Sequence, residues 1–258
     1  MNGPQVRRLV LERCFQAGVG HIGSALSVSD ILAVLCDGAV RGIGSDDPDR
    51  DLLILSKGHA AVALYAALHL GGHLSAHQLA TYCGDGSLLG VHPEHQLPGI
   101  DFSTGSLGHG LSFGAGAALG MKRRGVDGRV FVVVSDAELN EGLVWEAAMF
   151  AAHQRLDNLV AVLDDNGQQA LGHTDDVLKL RPLRPRFEAA GWAVDEVDGH
   201  DPEALRQALH GGDDGRPRVV IAATIAGHGV SFMEGRVSWH YLPMDADQYA
   251  RALAEVGG

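Results

Sequence analysis

Two short runs built almost wholly of aliphatic and β-branched residues, 129–135 (RVFVVVS) and 158–163 (NLVAVL), most constrain how this chain can fold. A strand with no polar alternation has to be covered on both faces. Between the two runs, residues 141–155 place Leu143, Ala147, Phe150 and Ala151 on one helical face. Strand, helix and strand in that order make a βαβ unit with a right-handed crossover. The same alternation extends in both directions. Residues 51–56 (DLLILS), 192–197 and 218–224 read as further strands. Helices are expected over 4–17, with a stripe through Val6, Leu9, Val10 and Cys14, over 60–70, over 111–121 and over 202–209, where Pro202 suits the first turn. Ser29 or Ser27 is expected to cap another helix holding Ile31, Leu32 and Leu35. The fold class is therefore α/β, a mostly parallel sheet with helices on both faces, in one domain over 1–258. Ligands of such sheets gather at the C-terminal ends of the strands.

Composition narrows the function. The chain has 258 residues, and 46% of them are apolar, enough for a sizeable core. A formal charge of −12, with no Lys/Arg cluster, argues against a nucleic-acid partner. An anionic ligand would have to be held locally, by backbone amides, His or a metal. Cys14, Cys36 and Cys83 are scattered, odd in number and in no CxxC pattern, which fits a reducing cytoplasm rather than a disulfide framework. Arg7, Arg8, Glu12 and Arg13 break any apolar leader, and no run long enough to span a membrane occurs.

Polar groups fall where a ligand is expected. Asp136 follows the first strand of the βαβ unit, and Asp164, Asp165 and Asn166 follow the second. Neighbouring strand ends lie about 5 Å apart. Asp136 and Asn166 could thus share one hard cation such as Mg²⁺, or simply cap turns. Residues 104–110 (TGSLGHG) form a Gly-rich entry to a helix, able to face a phosphate or to pack tightly on a strand. His21, His59, His92 and His240 sit in glycine- or serine-containing loops, as hydrogen-bonding or proton-exchanging groups would. His69, His73 and His77 have metal-like spacing, but Gly71 and Gly72 interrupt the helix that would align them.

Taken in order, GHIGS, LSKGHAAVALYAAL, GVHPEH, TGSLGHG, SDAELNEG, LDNLVAVLDDN and SWH resemble the N-terminal, thiamine-diphosphate-binding domain of transketolase, from Gly20 to His240. The resemblance implies the thiamine-diphosphate-binding fold and two cofactors, thiamine diphosphate and Mg²⁺. It implies Asp136, Asn166 and the carbonyl of Gln168 as metal ligands. It places His59, Gly105, Ser106, Leu107, Gly108, Ala137, Glu138 and His240 against the cofactor. His21, His92 and His240 would face the sugar. Glu141 and Glu146 would lie near the cofactor at a subunit contact, where they help orient a partner's catalytic Glu. The implied reaction moves a two-carbon ketol unit from a ketose to an aldose, with sugar phosphates as substrates. In the family a second, pyrimidine-binding domain follows. The sequence ends at Gly258, about where that domain would begin. The chain is therefore expected to be the N-terminal subunit of a split transketolase, in a dimer of heterodimers with a C-terminal subunit.

Five positions depart from the pattern. Ala137 stands where the motif has Gly, which costs about 1 kcal/mol if φ is positive there. Gln168 replaces an apolar residue, Ala226 and His228 replace Lys, and Tyr241 replaces a common Gly. These departures are the support for a rival reading, a degenerate non-catalytic subunit. The α subunit of a 2-oxoacid dehydrogenase fits the His-rich loops poorly. A Rossmann domain fits poorly too, because TGSLGHG follows no good strand.

Overall fold

The structure is a computed structural model that describes residues 1–210 and 214–257. Seven strands occur among the described residues: β1 Leu52–Leu55, β2 Val130–Ser135, β3 Leu159–Asp165, β4 Gln168–Gln169, β5 Gly172–His173, β6 Ala193–Asp198 and β7 Arg218–Ala223. Eleven α-helices accompany them: α1 Gly3–Ala17, α2 Ile22–Ser27, α3 Ser29–Val34, α4 Ala61–Leu70, α5 Ala76–Ala80, α6 His109–Arg124, α7 Gly142–His153, α8 Thr174–Val177, α9 Arg184–Ala189, α10 Pro202–Leu209 and α11 Ala246–Val256. The main sheet runs β1-β2-β3-β7-β6. Every pairing in it is parallel. β4 and β5 form a separate two-residue hairpin.

Strands β2 and β3 are buried along their whole length, as their sequences require. Their side chains alternate between two cores. Phe131, Val133, Val160 and Val162 join a core made with α1–α4 and α10. Val130, Val132, Val134, Leu159, Ala161 and Leu163 join the core under α6 and α7. Gly114 of α6 allows that close packing, because a Cβ there would lie 2.4 Å from Val132 Cγ2.

Local chemistry sets the helix ends. Asn2 and Gln5 form a capping box at α1, and Gly18 closes that helix in the left-handed conformation. Asp201 caps α10 through Glu203 N and Ala204 N. Two expectations are corrected. Neither Ser27 nor Ser29 caps a helix, since α2 and α3 run together through Val28, which stays αR. Ser29 Oγ instead donates back to Ala25 O at 2.8 Å. Also, α7 buries Val144, Ala147, Ala148 and Ala151, whereas Phe150 is 43% exposed. The stripe is rotated by one residue because small side chains, not Phe, let α7 approach the sheet. The β4–β5 hairpin and the helices α5, α8, α9 and α11 were not legible in the apolar periodicity.

Candidate functional site

The register pairs Ser135 with Asp164. Asp136, one residue beyond the end of β2, therefore comes beside Asp165. Three carboxylates, Asp136, Asp164 and Asp165, crowd the strand ends, and two of them have cations. Lys57 and Asp164 form an ion pair with no exposure on either side. Lys57 Nζ also donates to Ser24 O at 3.2 Å, and Ser27 Oγ donates to Asp164 at 2.7 Å. Arg181 makes a two-pronged pair with Asp165. Among the described residues, no Lys or Arg forms an ion pair with Asp136. Its oxygens accept from Gly167 N at 2.8 Å and Ala137 N at 2.9 Å. Burial first, and then Asp165 and Asp164, push its carboxyl up to about 7.

Asn166 lies next to this acid cluster. Its Nδ2 donates to Ser27 Oγ at 3.1 Å and to Asp164 at 3.4 Å, which turns the amide oxygen the other way, where it accepts from Gln168 N at 2.9 Å. A buried carboxylate lacking a counter-ion, beside an oriented amide oxygen, suits a hard divalent cation.

Above these groups lies a cavity of about 340 Å³, lined among others by His21, His59, His92, Lys57, Leu107 and Gln168. It falls in the size range of small-molecule sites. His21, His59 and His240 form a triangle with all three ring centroids 5.3 Å apart. His59 Nε2 lies 2.9 Å from Ser24 Oγ. Burial, followed by the neighbouring cations and imidazoles, holds His59 well below its usual range. Burial and His21 lower His240 to about 4. Burial and His92 lower His21. The imidazoles are thus neutral near pH 7, each with one N–H and one lone pair. Such a wall can hold hydroxyls and exchange protons with them. His21 is also a non-Gly residue in the left-handed region, φ 60, at the start of α2. Backbone of that kind costs about 1–3 kcal/mol and concentrates at functional sites.

Ten of the residues singled out from sequence line the cavity: His21, His59, His92, His240, Gly105, Leu107, Ala137, Glu141, Asn166 and Gln168. Five others do not. Asp136 lies buried beside it, Ser106 borders a neighbouring surface depression with His109 and Phe113, and Glu146 is exposed on α7. Glu138 is fully buried and acts as a clamp. It accepts from Ser56 Oγ, from Gly108 N at 2.9 Å and from Ser135 N at 2.8 Å. That clamp also takes up the Gly108 amide, so of the two readings of the Gly-rich turn the tightly packed helix entry is the one this amide matches. Gly108 is needed for another reason, a φ of 80 with Glu141 Cβ only 2.7 Å from where its own Cβ would be. Ala137 carries no strain, since it is absent from the positive-φ residues and sits in a 3₁₀ turn over Asp136–Asn140.

Sequence reasoning passed over Lys57, Ser24 and Asn140. The Lys inside LSKGHA was a usable signal, because a Lys between a buried strand and a buried helix must find an acid. Away from the cavity, Asp30, His200 and His228 have metal-like proximity. However, His200 Nδ1 faces Asp30 at 2.8 Å, its Nε2 accepts from Ile225 N at 3.0 Å, and Arg7 also pairs with Asp30. With both ring nitrogens engaged, this cluster anchors the chain at Ile225 and offers no open ligand set.

Comparison with known proteins agrees with this geometry. The family described as transketolase, thiamine diphosphate binding domain, matches residues 4–257. The chain is 37% identical over 256 residues to 6-deoxy-6-sulfo-D-fructose transketolase subunit SqwG of a Clostridium species, covering 97% of this chain and 93% of that one. It is 38% identical over 255 residues to an apulose-4-phosphate transketolase subunit of Phocaeicola vulgatus, covering 97% and 90%. Among solved structures, transketolase from Leishmania mexicana superposes with a TM-score of 0.90 at 30% identity, over 99% of this chain and 40% of that one. Transketolase from Campylobacter jejuni gives 0.90 at 29%, over 99% and 42%. The chain spans about two fifths of the solved transketolases it matches.

Proposed function

Because this chain belongs to the transketolase thiamine-diphosphate-binding family, we propose that it is the N-terminal subunit of a two-component transketolase. It acts as one diphosphate-binding unit and moves a two-carbon ketol group from a ketose to an aldose. The observation that carries this reading is the triangle of neutral imidazoles above an acid cluster with one uncompensated carboxylate. The relatives named as subunits support the two-component form, since this chain is nearly co-extensive with them. The partner is a C-terminal subunit carrying the pyrimidine-binding domain, and the pair associates into a dimer of heterodimers. Exposed Leu171, Tyr241 and Leu242 near the cavity mouth are apolar surface for such a partner to cover. The substrates are sugar phosphates.

Asp136, the Asn166 amide oxygen and the Gln168 carbonyl would hold Mg²⁺, which would neutralise charge on the cofactor diphosphate. When bound, thiamine diphosphate supplies the electron sink for breaking the bond next to the ketose carbonyl. The chain's own residues do the rest. His240 and His21 hold sugar hydroxyls and exchange protons at their ring nitrogens, each ring being neutral near pH 7 with one lone pair free. His59, held against Ser24 Oγ, orients the same cluster. His92 adds a fourth ring on that wall. Leu107 and Ala137 supply apolar contact to the cofactor rings. Glu141 lines the opening, where a partner's catalytic Glu would approach, and Glu146 is exposed on α7 for a subunit contact.

Among the described residues no helix is long and apolar enough to cross a membrane. All three cysteines are free thiols, which supports a cytoplasmic setting. The test is to co-purify the chain with its C-terminal partner and to assay ketol transfer with and without thiamine diphosphate and Mg²⁺. Activity from the pair that depends on both cofactors supports the reading. A stable pair that binds no cofactor would replace it with a non-catalytic role.

A further inference from the structure

We propose that the Gln168 carboxamide donates a hydrogen bond to the cofactor diphosphate, as a neutral substitute for a basic side chain; this rests on the function proposed above and deepens it. Gln168 Nε2 is buried, has no hydrogen-bond partner among the described residues and belongs to a residue that lines the cavity. An unpaired buried donor costs about 1–3 kcal/mol, so a site that keeps one has an acceptor for it.

The charges around the cavity say which acceptor. Among the described residues, Lys57 is the only Lys or Arg on its wall, and it is held by Asp164 and Ser24 O. Arg181 is held by Asp165. The loop 225–229 (IAGHG) brings Ala226 to the cavity and contains no Lys or Arg. A diphosphate here must be balanced by the metal and by neutral N–H groups. The Gly108 amide does not serve, being bound to Glu138 at 2.9 Å.

Position selects Gln168 for the role. Its backbone N bonds Asn166 Oδ1 at 2.9 Å, so the residue stands beside the proposed metal position. Its Nε2 lies 4.0 Å from where a Cβ on Gly235 would be, so the carboxamide spans the gap towards the loop that follows β7. The carboxamide would therefore stand beside a diphosphate carried by that metal. The polar residue at an otherwise apolar position thus strengthens cofactor binding.

The test uses Gln168→Leu and Gln168→Met, the latter keeping the length of the side chain without its N–H. Calorimetry on the co-purified pair measures binding of thiamine diphosphate and of inorganic pyrophosphate, each with Mg²⁺, after thermal unfolding confirms that both variants fold. Both variants should lose about tenfold in affinity or more for both probes, the scale of a hydrogen bond to a charged acceptor. Unchanged or tighter pyrophosphate binding by either folded variant overturns the proposal, as does a loss seen with thiamine diphosphate alone. If the wild type binds neither probe, the diphosphate-site reading itself falls. Wild-type binding with unaffected variants removes only the role of Gln168.

Discussion

Replacing Asp136 by Asn should reverse the stability order of mutant and wild type between pH 4 and pH 8 when no metal is present. Asp136 is 5% exposed and its carboxyl is pushed from 3.8 up to about 7. Holding the proton up to about pH 7 instead of 3.8 corresponds to about 4 kcal/mol, given up gradually between those two values. The sign follows from where the proton is held. The folded chain keeps it and the unfolded chain releases it, so the stabilising contribution is full below about pH 4 and is lost as pH rises through about 7. Asn removes that penalty. It also offers one carbonyl oxygen where the carboxylate accepted from both Gly167 N and Ala137 N, a loss of about 1–3 kcal/mol. The variant should therefore be less stable than wild type at pH 4 and about 1–3 kcal/mol more stable at pH 8. Urea unfolding in chelator across that range measures both. Adding Mg²⁺ with thiamine diphosphate should stabilise the wild type strongly at pH 8 and the variant little. Wild-type stability that stays flat from pH 4 to pH 8, or a variant that is weaker throughout, would refute the picture of an uncompensated carboxylate awaiting a cation.

Lys57→Met should cost about 3–5 kcal/mol in urea unfolding, because it leaves Asp164 buried without its cation. Adding Asp164→Asn to it should recover part of that loss. Gly114→Ala should destabilise by about 1–3 kcal/mol, since the new methyl meets Val132 where α6 packs on β2. His240 is held at about 4, below the usual imidazole range. Stability from keeping it neutral is present above about pH 6.5 and lost as pH falls towards 4. A pH series of urea melts should accordingly show a shallower acid limb for His240→Asn than for wild type.

Much of the architecture was legible because it depends on local pattern. The apolar runs of β2 and β3 admit few structures other than covered parallel strands, and Asp136 and Asn166 then have to stand at their ends. Pro202 marked the start of α10, and ordered blocks of glycine and histidine pointed to the family. The tertiary structure decided what each polar group faces. Glu138 and Asp136 are two residues apart in one acidic stretch, yet one is a saturated clamp and the other a carboxylate with no cation. No spacing rule separates them, because the difference comes from Ser56, Gly108 and Lys57, which are distant in sequence. Phe150 against Ala148 was decided likewise, by how closely α7 could approach the sheet. The convergence of His21, His59 and His240 also belongs to the tertiary fold. Sequence supplied the three imidazoles, but their 5.3 Å separations, and the burial that keeps them neutral, exist only once chain ends more than two hundred residues apart have been brought together over the sheet.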